Sequence, residues 1–113
     1  MERPVLVYTT YPSLVEAERT GRLLVEQGLA ACVNILPGMQ SIYRWQGKVE
    51  SADEAVMIVK TRASQKEAVE AVVKRLHSYE TPAVLFLNTE GGSAEYVGWV
   101  LSESRGEKID ADS

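Results

Sequence analysis

One cysteine, one histidine and no surplus of positive charge leave this chain short of the groups that most active sites, metal centres and nucleic-acid interfaces are built from. With Cys32 alone, no intramolecular disulfide framework can form. With His77 alone, and no C-x-x-C, no H-x-x-x-H and no acid-rich loop of EF-hand type, there is no metal-spacing signature. A single subunit therefore offers too few soft ligands for a closed tetrahedral site. Lys and Arg total 12 against 16 Asp and Glu, a net charge of −4, which argues against a phosphate-rich partner that would need a basic face. The aromatic pattern of RNA-binding sheets is also missing. No apolar run nears the roughly 18 residues of a membrane span, and no basic-plus-apolar leader precedes Pro4. The expectation is a soluble, cytoplasmic protein without a membrane or nucleic-acid partner. Lacking any nucleophile–base motif, it is not expected to be an enzyme.

What is present is a repeated pattern. Thr10, Ser13, Glu16 and Ala17 recur 51 positions later as Thr61, Ser64, Glu67 and Ala68. In both places T-x-x-S-x-x-E-A joins an apolar run to a helical one, so the chain reads as two strand–helix–strand units in tandem. At 113 residues it is one domain, expected over 1–105, with a polar, acidic tail over 106–113. A chain of this size buries roughly 65% of its unfolded surface, enough for a core without staples.

Val5 to Thr10 is β-branched and nearly all apolar, a strand buried on both faces. Ser13 and Glu16 have the spacing of a capping box, Leu14, Ala17, Gly21, Leu24 and Val25 follow at helical spacing, and Gly28 suits the C′ position. Leu29 to Leu36 predicts the next strand, which Pro37-Gly38 interrupts as an edge, bulge or bend. Ser41 to Trp45 resumes it, Gln46-Gly47 turns the chain, and Lys48 to Glu50 begins the return arm. A bulge is predicted over Ser51 to Asp53, then a buried strand from Ala55 to Val59. Ser64 and Glu67 repeat the capping box; Val69, Val72, Val73 and Leu76 form a core stripe, with Glu70 and Lys74 paired on the wet side. Ala83 to Leu87 is the last central strand, and Ser93 caps a short helix carrying Tyr96, Trp99 and Val100.

The fold class is α+β: a ferredoxin-like βαββαβ sandwich with an extended, bent hairpin and a C-terminal helix, four antiparallel strands with both main helices on one face. That leaves the other face with only the short terminal helix to cover it, although the strands read as apolar on both sides. Burial against other subunits resolves the conflict, and the long hairpin offers an edge for pairing.

At LAACVNILPG (29–38), SIYRWQGKVE (41–50), EAVMIVKT (54–61) and HSYETP (77–82), together with Tyr96-x-x-Trp99, the chain resembles the CutA family of divalent-cation-tolerance proteins. The resemblance spans roughly residues 4 to 104. It implies a ferredoxin-like subunit in a tight homotrimer similar to the PII signalling proteins, with strands of neighbouring subunits pairing edge to edge, and an association with tolerance to copper and other divalent cations. It brings no catalytic activity. The chain departs from the family at Ser78, usually proline, and Ala83, usually glutamate, so no carboxylate follows Pro82.

Cys32 and His77 are the candidate metal ligands, for copper or another divalent cation. Cys32 is a soft ligand or a small core residue in an apolar strand. His77 is a ligand, or a cap in the last helical turn. Glu50, Asp53 and Glu54 could hold hard ions loosely or stay solvated. Tyr43, Trp45, Glu54, Lys60, Tyr79 and Tyr96, with Trp99 nearby, are candidates for a cleft between subunits. Aromatics beside a cation suit a small anionic or planar ligand, and they also suit plain interface packing.

Overall fold

The computed structural model describes residues 2–106. Elements follow in the order β1 (Pro4–Tyr11), α1 (Leu14–Glu26), β2 (Cys32–Trp45), β3 (Lys48–Arg62), α2 (Lys66–Leu76), β4 (Val84–Asn88) and α3 (Ala94–Glu103). The sheet order is β2-β3-β1-β4, with every pairing antiparallel. This is the expected α+β arrangement. The expected tail lies, from residue 107 onward, outside the described residues; Gly106 itself donates its amide to the Gly28 carbonyl at 2.8 Å.

The two faces of the sheet differ. Val5, Val7, Thr9 and Tyr11 alternate along β1 and are fully buried. Val7 and Tyr11 join Ala55, Met57 and Val59 of β3 in a core closed by Ala17 and Leu24 of α1 and Val69, Val72 and Val73 of α2. Gly21 lets α1 pack closely on the sheet, since a Cβ there would stand 2.8 Å from Val33 Cγ2. Partners in register share a face, so the opposite, open face consists of three rows. They are Cys32–Lys60–Leu6–Leu87, Asn34–Ile58–Tyr8–Leu85 and Leu36–Val56–Thr10, and the pairs Pro4–Arg62 and Met39–Glu54 continue the same face at either end. Leu85 is 62% exposed and Leu36 is 54% exposed.

Helix α1 ends in a Schellman motif: Gly28 has φ +71°, its amide donates to Val25, and Leu29 donates to Leu24. This holds Leu29 to Ala31 outside β2, which begins at Cys32 rather than Leu29. From there β2 is continuous through Pro37-Gly38. These two residues form a bulge between the Leu36–Val56 and Met39–Glu54 pairs, as a proline without an amide proton requires. The bulge predicted over Ser51 to Asp53 is absent: those residues pair regularly with Ile42, Ser41 and Gln40. The irregularity lies on the opposite strand. Past the bulge the hairpin projects to a turn with φ +51° at Gln46 and +81° at Gly47, the two positive values that a type I′ turn needs.

The two helix starts that share the T-x-x-S-x-x-E-A pattern are not structurally alike. Ser13 caps α1, its Oγ accepting from the Glu16 amide at 3.2 Å, but the Glu16 carboxylate turns away to Ser78 and the box is half made. At the second start no box forms. Ala63 donates to the Arg3 carbonyl, prolonging the β1–β3 pairing, and a 3₁₀ turn over Ala63–Gln65 delays α2 until Lys66 with no side-chain cap. The Ser64 amide is taken by Glu2 Oε1 at 3.3 Å. Ser13→Ala should therefore cost about 1 kcal/mol, whereas Ser64→Ala should stay within about 0.5 kcal/mol of wild type. Paired urea melts check both, and equal losses would contradict the assignment.

Candidate functional site

Helix α2 stops at Leu76 because His77 takes an extended conformation, φ −76° and ψ 143°, which turns its ring inward. The side chain is buried. Nε2 lies 2.6 Å from the Thr10 carbonyl oxygen, which can only accept, so Nε2 carries the proton. The Tyr79 amide, which can only donate, meets Nδ1 at 3.0 Å. This is the neutral Nε2–H tautomer with both nitrogens committed. The ring stacks on Tyr11 at 4.4 Å and 19°.

Around it runs a polar chain linking both helices to the hairpin. Glu16 Oε2 accepts from the Ser78 amide at 2.8 Å, and Oε1 from the Ser78 hydroxyl at 3.0 Å. The Tyr79 hydroxyl donates to Glu54 Oε2 at 2.9 Å, and Ser41 donates to Oε1 at 2.6 Å. A cavity of about 110 Å³ beside Glu54 is lined by Ser13, Pro37 and Asp53 among others. The larger hollow, about 790 Å³, runs along α1 from Val15 to Glu26, reaches Leu76 of α2, and includes none of the candidate residues. Burial, then the hydrogen bond to Glu54 and its charge, push the Tyr79 phenol up to about 12 from 10.0. A raised folded value means that this contribution is complete below pH 10 and is lost as pH climbs through about 12. The thermal midpoint gap between wild type and Tyr79→Phe should be constant from pH 8 to 10 and close by pH 12. A gap unchanged at pH 12 would contradict this.

A second cluster lies on the open face. Lys60 Nζ is 2.9 Å from the Tyr96 hydroxyl and 5.2 Å from the centroid of that ring. Trp99 is tilted against Tyr96 at 5.6 Å. Cys32, half-buried, is the register partner of Lys60 and takes a weak 3.8 Å contact from Asn34 Nδ2. The Tyr96 hydroxyl holds the Lys60 ammonium above its ordinary value.

The candidates named from the sequence thus separate within one chain. Glu54 touches Tyr79 and Lys60 touches Tyr96, while Tyr43 and Trp45 stand near the hairpin tip opposite Glu50 and Lys48. Cys32 and His77 do not meet. Cys32 pairs with Lys60, whereas His77 binds Thr10, the partner of Val56, four residues or about 13 Å along β3. Among the described residues no three His, Cys, Asp or Glu side chains gather to hold a metal. Glu16, Ser41, Ser78 and Tyr11 belong to the first cluster and were not among the sequence candidates. Their only sequence signals were the capping pattern at Glu16 and the departure from proline at Ser78.

The CutA1 divalent ion tolerance family model matches residues 5–103, both clusters and every strand from Val5 onward. The chain belongs to this family. The divalent-cation tolerance protein CutA of Archaeoglobus fulgidus is 47% identical over 94 residues, covering 83% of this chain and 91% of that protein. The Thermus thermophilus protein of the same description is 43% identical over 106 residues, covering 94% and 100%. Against the chloroplastic CutA of Arabidopsis thaliana, 40% identical, the chain spans 56% of the relative's length. The solved structure described as the periplasmic CutA of Archaeoglobus fulgidus superposes with a TM-score of 0.86 at 44% identity, covering 89% of this chain and 98% of that one. The Thermus thermophilus structure gives 0.85 at 41% identity, covering 92% and 99%. A CutA1 fold of four antiparallel strands and three helices is thereby established. No helix among the described residues is long and apolar enough to cross a membrane.

Proposed function

We propose that the protein is a cytoplasmic homotrimer of the CutA type that binds copper or another divalent cation and supports tolerance to it, acting by binding rather than by catalysis. The observation that carries this reading is the open sheet face. It is apolar over most of its area, bears Cys32 at one end, and is crossed only at that end by α3, which leaves Leu85 and Leu36 exposed. Copies closing over one another's open faces would bury it, and each would bring one thiol. Soft ligands that a single chain cannot gather would then collect between subunits. The relatives described as divalent-cation tolerance proteins support the same reading. Cys32, and not His77, is the ligand it favours, because both nitrogens of His77 are already used.

Calorimetric titration with copper and zinc tests this. Sub-micromolar binding by wild type should vanish in Cys32→Ser. Cys32→Ser binding as tightly as wild type would overturn the metal assignment. A second reading, a PII-like trimeric sensor that holds a small metabolite in the cleft between subunits, is favoured by the Lys60–Tyr96 contact, since an exposed ammonium beside two aromatic rings is a recognisable anion receptor.

A further inference from the structure

Of the eleven residues in the three open-face rows, Lys60 alone is charged. No Asp or Glu among the described residues lies within ion-pair distance of it; its partners are the neutral Tyr96 hydroxyl and ring. An ammonium is cheap on a free surface. It becomes expensive once other copies cover the face, because a charge removed from water without a counter-charge costs several kcal/mol. A trimer that closes these three rows gathers three such ammonium groups with no carboxylate among them; the nearest carboxylate along the same face of β3, Glu54, is six residues away and already accepts from Ser41 and Tyr79. The neighbourhood of Lys60 also has a defined shape. Helix α3 is anchored across this end of the sheet, the Arg62 guanidinium donating to the Leu101 carbonyl. Its Tyr96 and Trp99, 45% and 44% exposed, stand beside the ammonium as a tilted pair of rings.

We propose that Lys60, Tyr96 and Trp99 form a binding site for a small aromatic anion, its carboxylate or phosphate on the Lys60 ammonium and its ring against the two aromatic side chains. The proposal rests on the trimeric reading above and gives the cleft ligand a chemical class. The anion supplies the counter-charge that the three rows around Lys60 lack, and the rings select a planar body over a bare oxyanion. His77 and Tyr79 have no part in it: the imidazole nitrogens are occupied and the Tyr79 hydroxyl is given to Glu54.

The test uses metal-free wild-type protein, with benzoate and phenyl phosphate as probes, acetate and inorganic phosphate as ring-less controls, and benzamide as the uncharged control. Mass is measured by light scattering and binding by thermal shift and calorimetry. The expected result is a trimer that binds both aromatic anions saturably, at least tenfold tighter than the controls, with binding lost in Lys60→Met. Trp99→Leu, which keeps the charge, should bring benzoate to the level of acetate and serves if Lys60→Met does not fold. A trimer that binds benzoate no better than benzamide, or equally in wild type and Lys60→Met, overturns the site and leaves the assembly standing. A monomer overturns the assembly, and the reason for the site with it.

Discussion

Replacing His77 with alanine should destabilise the protein by about 3 kcal/mol and leave its copper and zinc affinity unchanged. The first half follows from what the ring does. Its removal strands the Thr10 carbonyl and the Tyr79 amide, each costing about 1–3 kcal/mol where water cannot replace the lost partner. It also ends the stacking on Tyr11, worth about 0.5–1.5 kcal/mol. Partial access of water near Tyr79 keeps the total toward the lower end. The second half follows from the tautomer. A metal at His77 would need the lone pair on Nδ1, which is pointed at the Tyr79 amide, or the loss of the proton that holds Thr10. Thermal melts at one fixed protein concentration, with calorimetric titration of the same samples, read both halves. A His77→Ala protein as stable as wild type but deaf to metal would reverse the assignment and make the histidine a ligand.

The histidine shows how far sequence carries in this chain. Its position at the end of α2 was legible, because the Val69, Val72, Val73, Leu76 stripe stops there. Its chemistry was not, because both hydrogen-bond partners depend on where β1 and the following loop lie in space. The strand and helix order was readable for a local reason: periodicity, glycine and proline are properties of neighbouring residues. Edges failed where a distant segment intervened. The capping pattern at Ser64 lost to the Arg3–Ala63 pairing, and the Glu16 side of the first box lost to Ser78, 62 residues away. Register also escaped, because a bulge on β2 and one on β3 bend the hairpin similarly in sequence terms; only the pairing shows that Pro37-Gly38 carries it. The candidate cleft residues were chosen by type, aromatic or charged near strand ends. The fold splits them into two groups, Glu54 with Tyr79 and Tyr43 near it, and Lys60 with Tyr96.

Leu85→Glu should break the assembly, while Val15→Glu should not. In the single chain the two side chains are comparably open, 62% and 75% exposed. A protein that functioned as this lone subunit would tolerate both within about 0.5 kcal/mol. They differ in where they point. Leu85 sits in the middle row of the open face, beside Tyr8 and Ile58; Val15 lies in the hollow along α1, on the helix layer. If copies close over the open face, each Leu85→Glu subunit must desolvate a carboxylate, at several kcal/mol apiece. Three copies together should drive a trimer to monomers at micromolar concentration. Gel filtration of the two variants beside wild type reads this directly, and equal elution of all three proteins as oligomers would mean that the open face is not the surface they share.

The measurement closest to the centre of the account is the molar mass of the wild-type protein by light scattering, over a dilution series through the micromolar range. A trimer closed over the open face should give three times the 12.5 kDa chain mass throughout. A mass of 12.5 kDa at every concentration would contradict it, because the open face, with Lys60 and Cys32 upon it, would then simply be a wet surface.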